Sequence, residues 1–197
     1  MRKLRHLFAL AAIAILAAGC AGRSKGTVTI AVDQSTPQAQ FAAGQLHDAL
    51  TANGYDVVLT DGGSKADIVL STEWDEALPR EGFSITTQPE TVTVKAHDAN
   101  GLIYACREII ERMEADDYFP AYYEDAPEMV LRGACVGVQK PYLLPSRAVY
   151  EYPYTPENFP WFYDTELWIE YLDMLVENRM NSLYLWNGHP FASLVRL

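Results

Sequence analysis

The stretch Glu128 to Gln139, which reads Glu-Met-Val-Leu-Arg-Gly-Ala-Cys-Val-Gly-Val-Gln, decides how this chain is organised. It is short and rich in apolar residues, and Arg132 is its one full charge after Glu128. Such a run predicts a strand that is buried on both faces, as in a parallel sheet. We therefore expect a new domain to begin at residue 128.

A helix and a second strand are predicted after this stretch. Asp164-Thr165-Glu166 is a helix start, and Ser182-Leu183-Tyr184-Leu185-Trp186 is a second apolar run. Strand, helix and strand in this order predict a βαβ unit, which opens a barrel or a doubly wound sheet. Residues 128–197 are thus expected to be the beginning of a truncated domain. Its helix should bury an apolar stripe of Leu167, Trp168, Tyr171, Leu172, Leu175 and Val176.

The amino-terminal segment has the pattern of a secretion signal. Three basic residues precede an apolar run from Leu7 to Ala18, which is too short to span a bilayer as a mature helix. We predict a signal peptide at residues 1–19. The small residues that end at Cys20 resemble a bacterial lipobox, which implies acyl chains on Cys20 and a tether at residues 20–26. The predicted location is the cell envelope, periplasmic or at the cell surface, and ordinary secretion is the alternative.

The charge of the chain argues against nucleic acid as a partner. The formal net charge is −11, and it becomes −14 without residues 1–19, which carry three basic residues and no acidic one. A phosphate backbone needs a basic surface. The three cysteines do not form a disulfide framework, and we expect Cys106 and Cys135 to be buried, inert thiols. No Cys/His cluster has metal-ligand spacing, so no metal site or cofactor is predicted.

Residues 27–127 are predicted to form a small α/β sandwich. The expected order is β-α-β-β-β-β-α, with both helices on one face of a mixed sheet. Thr36-Pro37 and Asp98 mark the two helix starts, and no residues in the domain form a catalytic constellation. The predicted strands are Thr27–Val32, Tyr55–Thr60, Ala66–Ser71, Gly82–Thr86 and Thr91–Lys95.

The start of the second helix carries a family resemblance. Asp98 to Ile110 reads Asp-Ala-Asn-Gly-Leu-Ile-Tyr-Ala-Cys-Arg-Glu-Ile-Ile after a β-hairpin. This segment resembles the end of the small domain that precedes the barrel in glycoside hydrolase family 20, the β-N-acetylhexosaminidases. The α-glucuronidases carry a similar domain. The resemblance implies that residues 27–127 are a non-catalytic support and that a (β/α)8 barrel starts at residue 128.

The same resemblance assigns a role to Arg132. An Arg-Gly pair on the first barrel strand of the hexosaminidases is similar to Arg132-Gly133, and that arginine binds sugar hydroxyls. A guanidinium has fixed donors that suit paired hydroxyls. The alternative is a structural arginine at the base of the barrel or at a domain interface. The match weakens beyond it, because Gly137 stands where an aspartate is common.

An aromatic loop follows the predicted first barrel strand. Eight aromatic residues lie between Tyr142 and Tyr163, and the loop after such a strand lies on the catalytic face of a (β/α)8 barrel. Aromatic rings pack on the C–H faces of sugars, so we expect at least one of Trp161, Tyr163 and Tyr154 to contact substrate; the alternative is packing on the barrel rim. Asn187 and His189, just past the second strand, are candidate hydroxyl ligands.

No catalytic residue is predicted in the chain. Glycosidases use two carboxyl groups, or one with help from the substrate, and in family 20 an Asp-Glu pair ends the fourth barrel strand. Asp116-Asp117 and Glu124-Asp125 are assigned to a solvated linker instead. We expect the amino-terminal part of a secreted or lipid-anchored glycoside hydrolase, hexosaminidase-like or α-glucuronidase-like, that is inactive alone. A non-catalytic carbohydrate-binding lipoprotein and a periplasmic solute-binding protein are the alternatives.

Overall fold

The computed structural model describes residues 24–63, 65–116, 120–137, 143–144, 147–148, 156–157 and 160–186. The chain divides into two compact units, Met1–Glu128 and Met129–Leu197. The predicted signal peptide and Cys20 lie outside the described residues. Within those residues, no helix combines the length and the apolar character that a bilayer crossing requires.

The first unit contains a mixed six-stranded sheet and two helices. The elements are β1 (Thr27–Val32), α1 (Pro37–Ala52), β2 (Asp56–Asp61), β3 (Ile68–Leu70), β4 (Phe83–Thr87), β5 (Val92–Ala96), α2 (Ala99–Glu114) and β6 (Tyr122–Asp125). The strand order in the sheet is β2-β1-β3-β5-β4-β6. The first four strands of this order are parallel, and β4 runs antiparallel to both β5 and β6. The predicted α/β class is confirmed.

Helices α1 and α2 pack together over one face of this sheet. Apolar side chains alternate along the strands, so one side of each strand enters the core. Burial of each large aliphatic or aromatic side chain contributes roughly 1.5–3 kcal/mol. The largest fully buried side chains include Ile30, Leu46, Phe83, Ile85 and Leu102.

The predicted start of α1 is confirmed in detail. The hydroxyl of Thr36 accepts a hydrogen bond of 3.2 Å from the amide of Ala39, and Pro37 is the first helical residue. A proline is favoured there because its missing N–H would have no helical partner. At the other end, Gly54 has a φ of +91°, which a glycine adopts without strain.

Strand β6 corrects the assignment of Glu124 and Asp125 to a linker. Both residues lie in this edge strand, where Asp125 pairs with Phe83 and Glu124 with Ser84. The sequence Tyr-Tyr-Glu-Asp ends in two charges and therefore has little strand character by itself. Pairing with β4 supplies main-chain hydrogen bonds that its composition does not reveal.

The second unit contains the predicted βαβ pattern. Strands β7 (Gly133–Gly137) and β10 (Ser182–Trp186) are parallel, and their register runs from Gly133 opposite Ser182 to Gly137 opposite Trp186. Between them lie an antiparallel pair, β8 (Leu143–Leu144) and β9 (Arg147–Ala148), a 3-10 helix (Pro160–Tyr163) and helix α3 (Thr165–Glu177).

Burial in the second unit differs from the prediction. The residues before β7, Met129 to Leu131, are exposed, and β7 itself alternates between exposed and half-buried residues. Cys135 is exposed, so the expectation of two buried thiols is wrong for this residue. Leu167 and Leu172 of the expected stripe are also exposed, whereas Leu175 is buried. The sheet has two strands within the described residues, so few apolar groups surround these side chains.

Candidate functional site

The hydrogen bonds at the end of α3 fix the direction of the βαβ unit. The amides of Asn181 and Ser182 both donate to the carbonyl oxygen of Arg132, at 2.8 and 3.0 Å. The carboxyl end of α3 therefore lies beside the amino ends of β7 and β10. The connecting helix of a βαβ unit runs antiparallel to its strands, so we expect residues 160–164 to lie toward the carboxyl ends of the strands. Ligand sites of parallel sheets and barrels form at that edge.

Aromatic rings from the 3-10 helix and from α3 pack together at this edge. The ring of Phe162 makes edge-to-face contacts with Tyr163 and Trp168, with centroids 5.6 and 5.8 Å apart. Trp161 lies 6.1 Å from Trp168, and Trp168 lies 6.1 Å from Tyr171. These separations are typical of stabilising aromatic pairs. The five rings form one aromatic cluster at the start of α3.

Two hydrogen bonds connect the segment that carries the cluster to the main chain. The indole N–H of Trp168 donates a hydrogen bond of 2.8 Å to the carbonyl oxygen of Phe162. The carboxylate of Asp164 accepts from the amide of Leu167 at 3.1 Å and caps α3. Trp168 is half-buried, so it lies on the inner side of the cluster.

Trp161 and Tyr163 are the two rings of the cluster that reach the surface. They are 36% and 47% exposed, whereas Phe162 and Tyr171 are half-buried. An exposed ring held by neighbouring rings offers a rigid apolar face, and the Tyr163 hydroxyl offers a donor and an acceptor. The arrangement suits contact with the C–H face of a sugar, and that contact stays a prediction.

Arg132 lies at the opposite end of the βαβ unit. It comes directly before β7, and its guanidinium donates from Nε to the carbonyl oxygen of Arg179 at 2.8 Å and from Nη1 to that of Met129 at 2.6 Å. A strand of five residues is roughly 16 Å long at about 3.3 Å per residue. We therefore expect Arg132 to lie at the other end of the βαβ unit from Trp161 and Tyr163. Its role as a sugar ligand stays a prediction, and its described bonds favour the structural alternative.

Asn181 is a residue whose role the sequence did not reveal. Its side-chain amide donates to the carbonyl oxygen of Val130 at 2.9 Å, and its side-chain oxygen accepts from the amide of Arg132 at 3.0 Å. The side chain thus forms hydrogen bonds with the main chain of the segment before β7, as a neighbouring strand would. Its position at the end of a helix and directly before a strand is the one signal that could have identified it.

Several further residues were candidates for binding, lipidation or acid chemistry. Four of them lie outside the described residues: Cys20, Tyr154, Asn187 and His189. In the described part of the chain, no three His, Cys, Asp or Glu side chains are grouped closely enough to hold a metal ion. Asp116 follows the end of α2, and Glu124 accepts a hydrogen bond from the hydroxyl of Tyr122 within β6.

The segment after Asp98 has a structural function in the first unit. One carboxylate oxygen of Asp98 accepts from the amide of Gly101 and the other from the amide of Glu81, both at 3.0 Å. Asn100 donates to the side chain of Glu81 at 2.9 Å. A Cβ on Gly101 would overlap the carbonyl oxygen of Gly82. Asp98, Asn100 and Gly101 therefore fasten the start of α2 to the loop before β4.

This segment lies in the region where a known family matches. The sequence model of glycosyl hydrolase family 20, domain 2, matches residues 17–122, which are more than half of the chain. The chain belongs to the glycosyl hydrolase family 20, domain 2, family. The resemblance inferred from Asp98 to Ile110 is thereby confirmed. A comparison of the sequence with curated proteins found no match.

Solved structures extend the likeness beyond domain 2. A GH138 enzyme targeting pectin rhamnogalacturonan II is 49% identical over 85% of this chain, with a TM-score of 0.71, and the match covers 19% of that enzyme. Streptomyces plicatus N-acetyl-β-hexosaminidase is 20% identical, with a TM-score of 0.53; the match covers 80% of this chain and 30% of that one. The fold alone is shared at that identity.

A family GH115 4-O-methyl-α-glucuronidase, with specificity for decorated arabinogalactans, has the same fold at 13% identity and a TM-score of 0.56. The match covers 85% of this chain and 26% of that enzyme. The chain thus spans less than a third of the length of each of these three structures.

Proposed function

We propose that this chain is the amino-terminal part of a glycoside hydrolase that acts on pectic glycans. The observation that carries this proposal is the 49% identity with a GH138 enzyme targeting pectin rhamnogalacturonan II, over 85% of the chain. The hexosaminidase and the glucuronidase are 20% and 13% identical and support the fold alone. A pectic substrate is therefore favoured over an N-acetylhexosaminide or a glucuronide.

In this proposal, β7 and β10 are the first two strands of a (β/α)8 barrel. They are parallel and joined through α3, as consecutive barrel strands are. Ile169, Leu172 and Tyr184 are exposed apolar side chains in this unit. Parallel sheets are normally covered on both faces, so further strands and helices of the parent protein would bury such side chains.

The aromatic cluster supplies sugar contacts at the rim of that barrel. Trp161 packs on a sugar ring, and Tyr163 reaches its hydroxyls. Asn187 and His189 come directly after β10 in the sequence, and in this proposal they bind further hydroxyls. In this proposal the first unit is a non-catalytic support, and its family segment has the structural function of holding α2 to the loop before β4.

The proposed location is the cell envelope. Residues 1–19 are removed as a signal peptide, and Cys20 carries the acyl chains that hold the enzyme at the membrane. Labelling of growing cells with a tagged fatty acid tests this. The wild-type protein should take up label and Cys20→Ser should not; equal labelling of both would contradict the anchor.

Hydrolysis by the parent protein tests the main proposal. The reading frame that contains residues 1–197 would be expressed with the sequence that follows it and incubated with rhamnogalacturonan II, with an aryl N-acetylhexosaminide and with an aryl glucuronide. Release of sugar from the first substrate alone supports a pectic enzyme. Release from an aryl substrate alone would overturn the pectic assignment, and binding without cleavage would favour a carbohydrate-binding lipoprotein.

A further inference from the structure

We propose that the first unit carries a second glycan-binding site, on the face of its sheet that α1 and α2 do not cover. The inference rests on the proposed function, because its ligand is a short stretch of the glycan on which the parent enzyme acts. The site combines a groove over β3 and β5 with a row of side chains that continues to Tyr122 on β6.

The groove has a volume of about 520 Å³. Ligand pockets in proteins typically measure about 300–1,000 Å³, so it can hold one or two sugar rings. Val69 and Thr93 form its floor, and the turn between β4 and β5 forms one wall. The other lining residues are Lys65, Ala66, Gln88, Pro89, Glu90 and Thr91.

The register of the sheet places the floor on the face opposite the helices. Val69 pairs with Thr93, and their neighbours along the strands, Ile68, Leu70 and Val94, are buried in the core. Successive side chains of a strand point to opposite faces, so Val69 and Thr93 face away from α1 and α2.

The same register extends the floor toward β6. Thr93 pairs with Thr86, and Thr86 pairs with Tyr122. Val69, Thr93, Thr86 and Tyr122 therefore form a row across four adjacent strands. Neighbouring strands are about 4.8 Å apart, so this row is roughly 14 Å long. It is long enough for a short oligosaccharide to lie along it.

Hydrogen bonds between the segment before β3 and the β4–β5 turn hold the groove in shape. The hydroxyl of Thr91 donates to the carbonyl oxygen of Ala66 at 2.9 Å, and the amide of Val92 donates to that of Asp67 at 2.8 Å. Across the rim, Lys65 forms an ion pair with Glu90 at 3.0 Å. A groove whose walls are already joined loses little conformational entropy when a ligand binds.

The chemistry of the row suits a sugar chain. Thr86 and Thr93 offer hydroxyls, Gln88 offers an amide, and Val69 and Pro89 offer small apolar surfaces. Tyr122 is 56% exposed, so its ring is accessible to the C–H face of a sugar. Its hydroxyl donates to Glu124. That hydrogen bond raises the pKa of Tyr122 above its ordinary value.

Calorimetric titration of the full chain with rhamnogalacturonan II oligosaccharides tests the site. Trp161→Ala and Tyr163→Ala would be introduced first, so that binding at the aromatic cluster does not contribute. In this background, Thr93→Arg fills the groove and should weaken binding at least tenfold. Tyr122→Ala should weaken it about threefold to tenfold. Thermal unfolding would show that each variant is folded.

Val58→Arg is the matched control. Val58 lies on β2, and its neighbours Val57 and Leu59 pack against the core, so it shares the uncovered face but lies two strands from β3. This variant should bind as the background protein does. Absence of binding by the folded background protein, or equal affinity of Thr93→Arg and Val58→Arg, would overturn the site. Hydrolysis by the parent protein is measured separately, so a failure of this site is distinguished from a failure of the proposed function.

Discussion

The Nε of Arg132 donates a hydrogen bond of 2.8 Å to the carbonyl oxygen of Arg179. Arg179 has a φ of +56° and lies in the turn between α3 and β10. A non-glycine residue in this conformation costs about 1–3 kcal/mol, and it persists only where its surroundings hold it in place. Arg132 also donates to Met129, so one side chain connects the segment before β7 with the turn before β10.

Replacement of Arg132 by methionine should destabilise the second unit. Both described bonds are lost, and we expect a decrease of about 1–3 kcal/mol in its free energy of unfolding. Urea unfolding monitored by tryptophan fluorescence measures this, because three of the four tryptophans, Trp161, Trp168 and Trp186, belong to the second unit. Arg107→Met is the control, since its pair with Glu111 on α2 should contribute less than about 0.5 kcal/mol.

The same variant separates the two interpretations of Arg132. If Arg132 were a sugar ligand and not a structural residue, Arg132→Met would leave the unfolding curve unchanged. The parent enzyme would then show a raised KM. A stability loss with unchanged KM is the outcome expected here.

Two helical glycines should respond to alanine in opposite directions. A Cβ on Gly101 would overlap the carbonyl oxygen of Gly82, so Gly101→Ala should displace the start of α2 and destabilise the first unit by about 2 kcal/mol or more. A Cβ on Gly44 of α1 would meet nothing within 4 Å. Gly44→Ala should therefore stabilise the first unit by about 0.5–1 kcal/mol. Thermal unfolding measures both, and shifts of the same sign would contradict the packing described at Gly101.

The two helix caps of the first unit should differ in strength. Thr36 satisfies one amide, so Thr36→Ala should cost about 1 kcal/mol. Asp98 accepts from Gly101 and from Glu81, which is buried, so Asp98→Ala should cost roughly twice as much. Denaturant unfolding of the two variants gives the comparison. Equal losses would show that the bond to Glu81 contributes nothing.

The two described thiols should differ in reactivity. Burial raises the pKa of Cys106 from 9.0 to about 12, which lowers its thiolate fraction about a thousandfold at any pH below 9. Cys135 is exposed. At pH 8 a thiol reagent should therefore modify Cys135 within minutes and Cys106 only after denaturation. Mass spectrometry of peptides identifies the labelled residue, and rapid labelling of Cys106 in the folded protein would contradict its burial.

Cys106 should also affect stability at high pH. Its pKa is higher in the folded than in the unfolded protein, so the unfolded state releases the proton first as pH rises above about 9. The contribution of Cys106 to stability is complete below that pH and is lost progressively toward pH 12. The free energy of unfolding of Cys106→Ala should decline less over this interval than that of the unmodified chain.

Two tryptophans of the aromatic cluster should have separable effects in the parent enzyme. Trp161 is at the surface, so Trp161→Ala should raise KM for rhamnogalacturonan II about tenfold with little change in stability. Trp168 is half-buried and bonded to Phe162, so Trp168→Ala should lower the stability of the second unit by about 2–4 kcal/mol. An unchanged KM in Trp161→Ala would show that this ring does not contribute to the proposed substrate site.

The amino-acid sequence by itself determined the local elements. Local patterns predicted five of the six strands of the first unit, and capping residues such as Thr36 and Asp98 predicted the helix starts, because these signals act between residues close in sequence. The apolar runs before and after α3 also predicted two strands in a βαβ unit, and these strands are indeed parallel.

The tertiary structure decided what depends on partners distant in sequence. It placed Glu124 and Asp125 in a paired edge strand, left Cys135 exposed and set Arg132 at the end of β7 opposite the aromatic cluster. It also joined Val69, Thr93, Thr86 and Tyr122 into one row. Contacts between distant segments decide the register of the strands and the burial of each side chain. They also decide at which end of a strand a side chain lies, and no local pattern encodes these features.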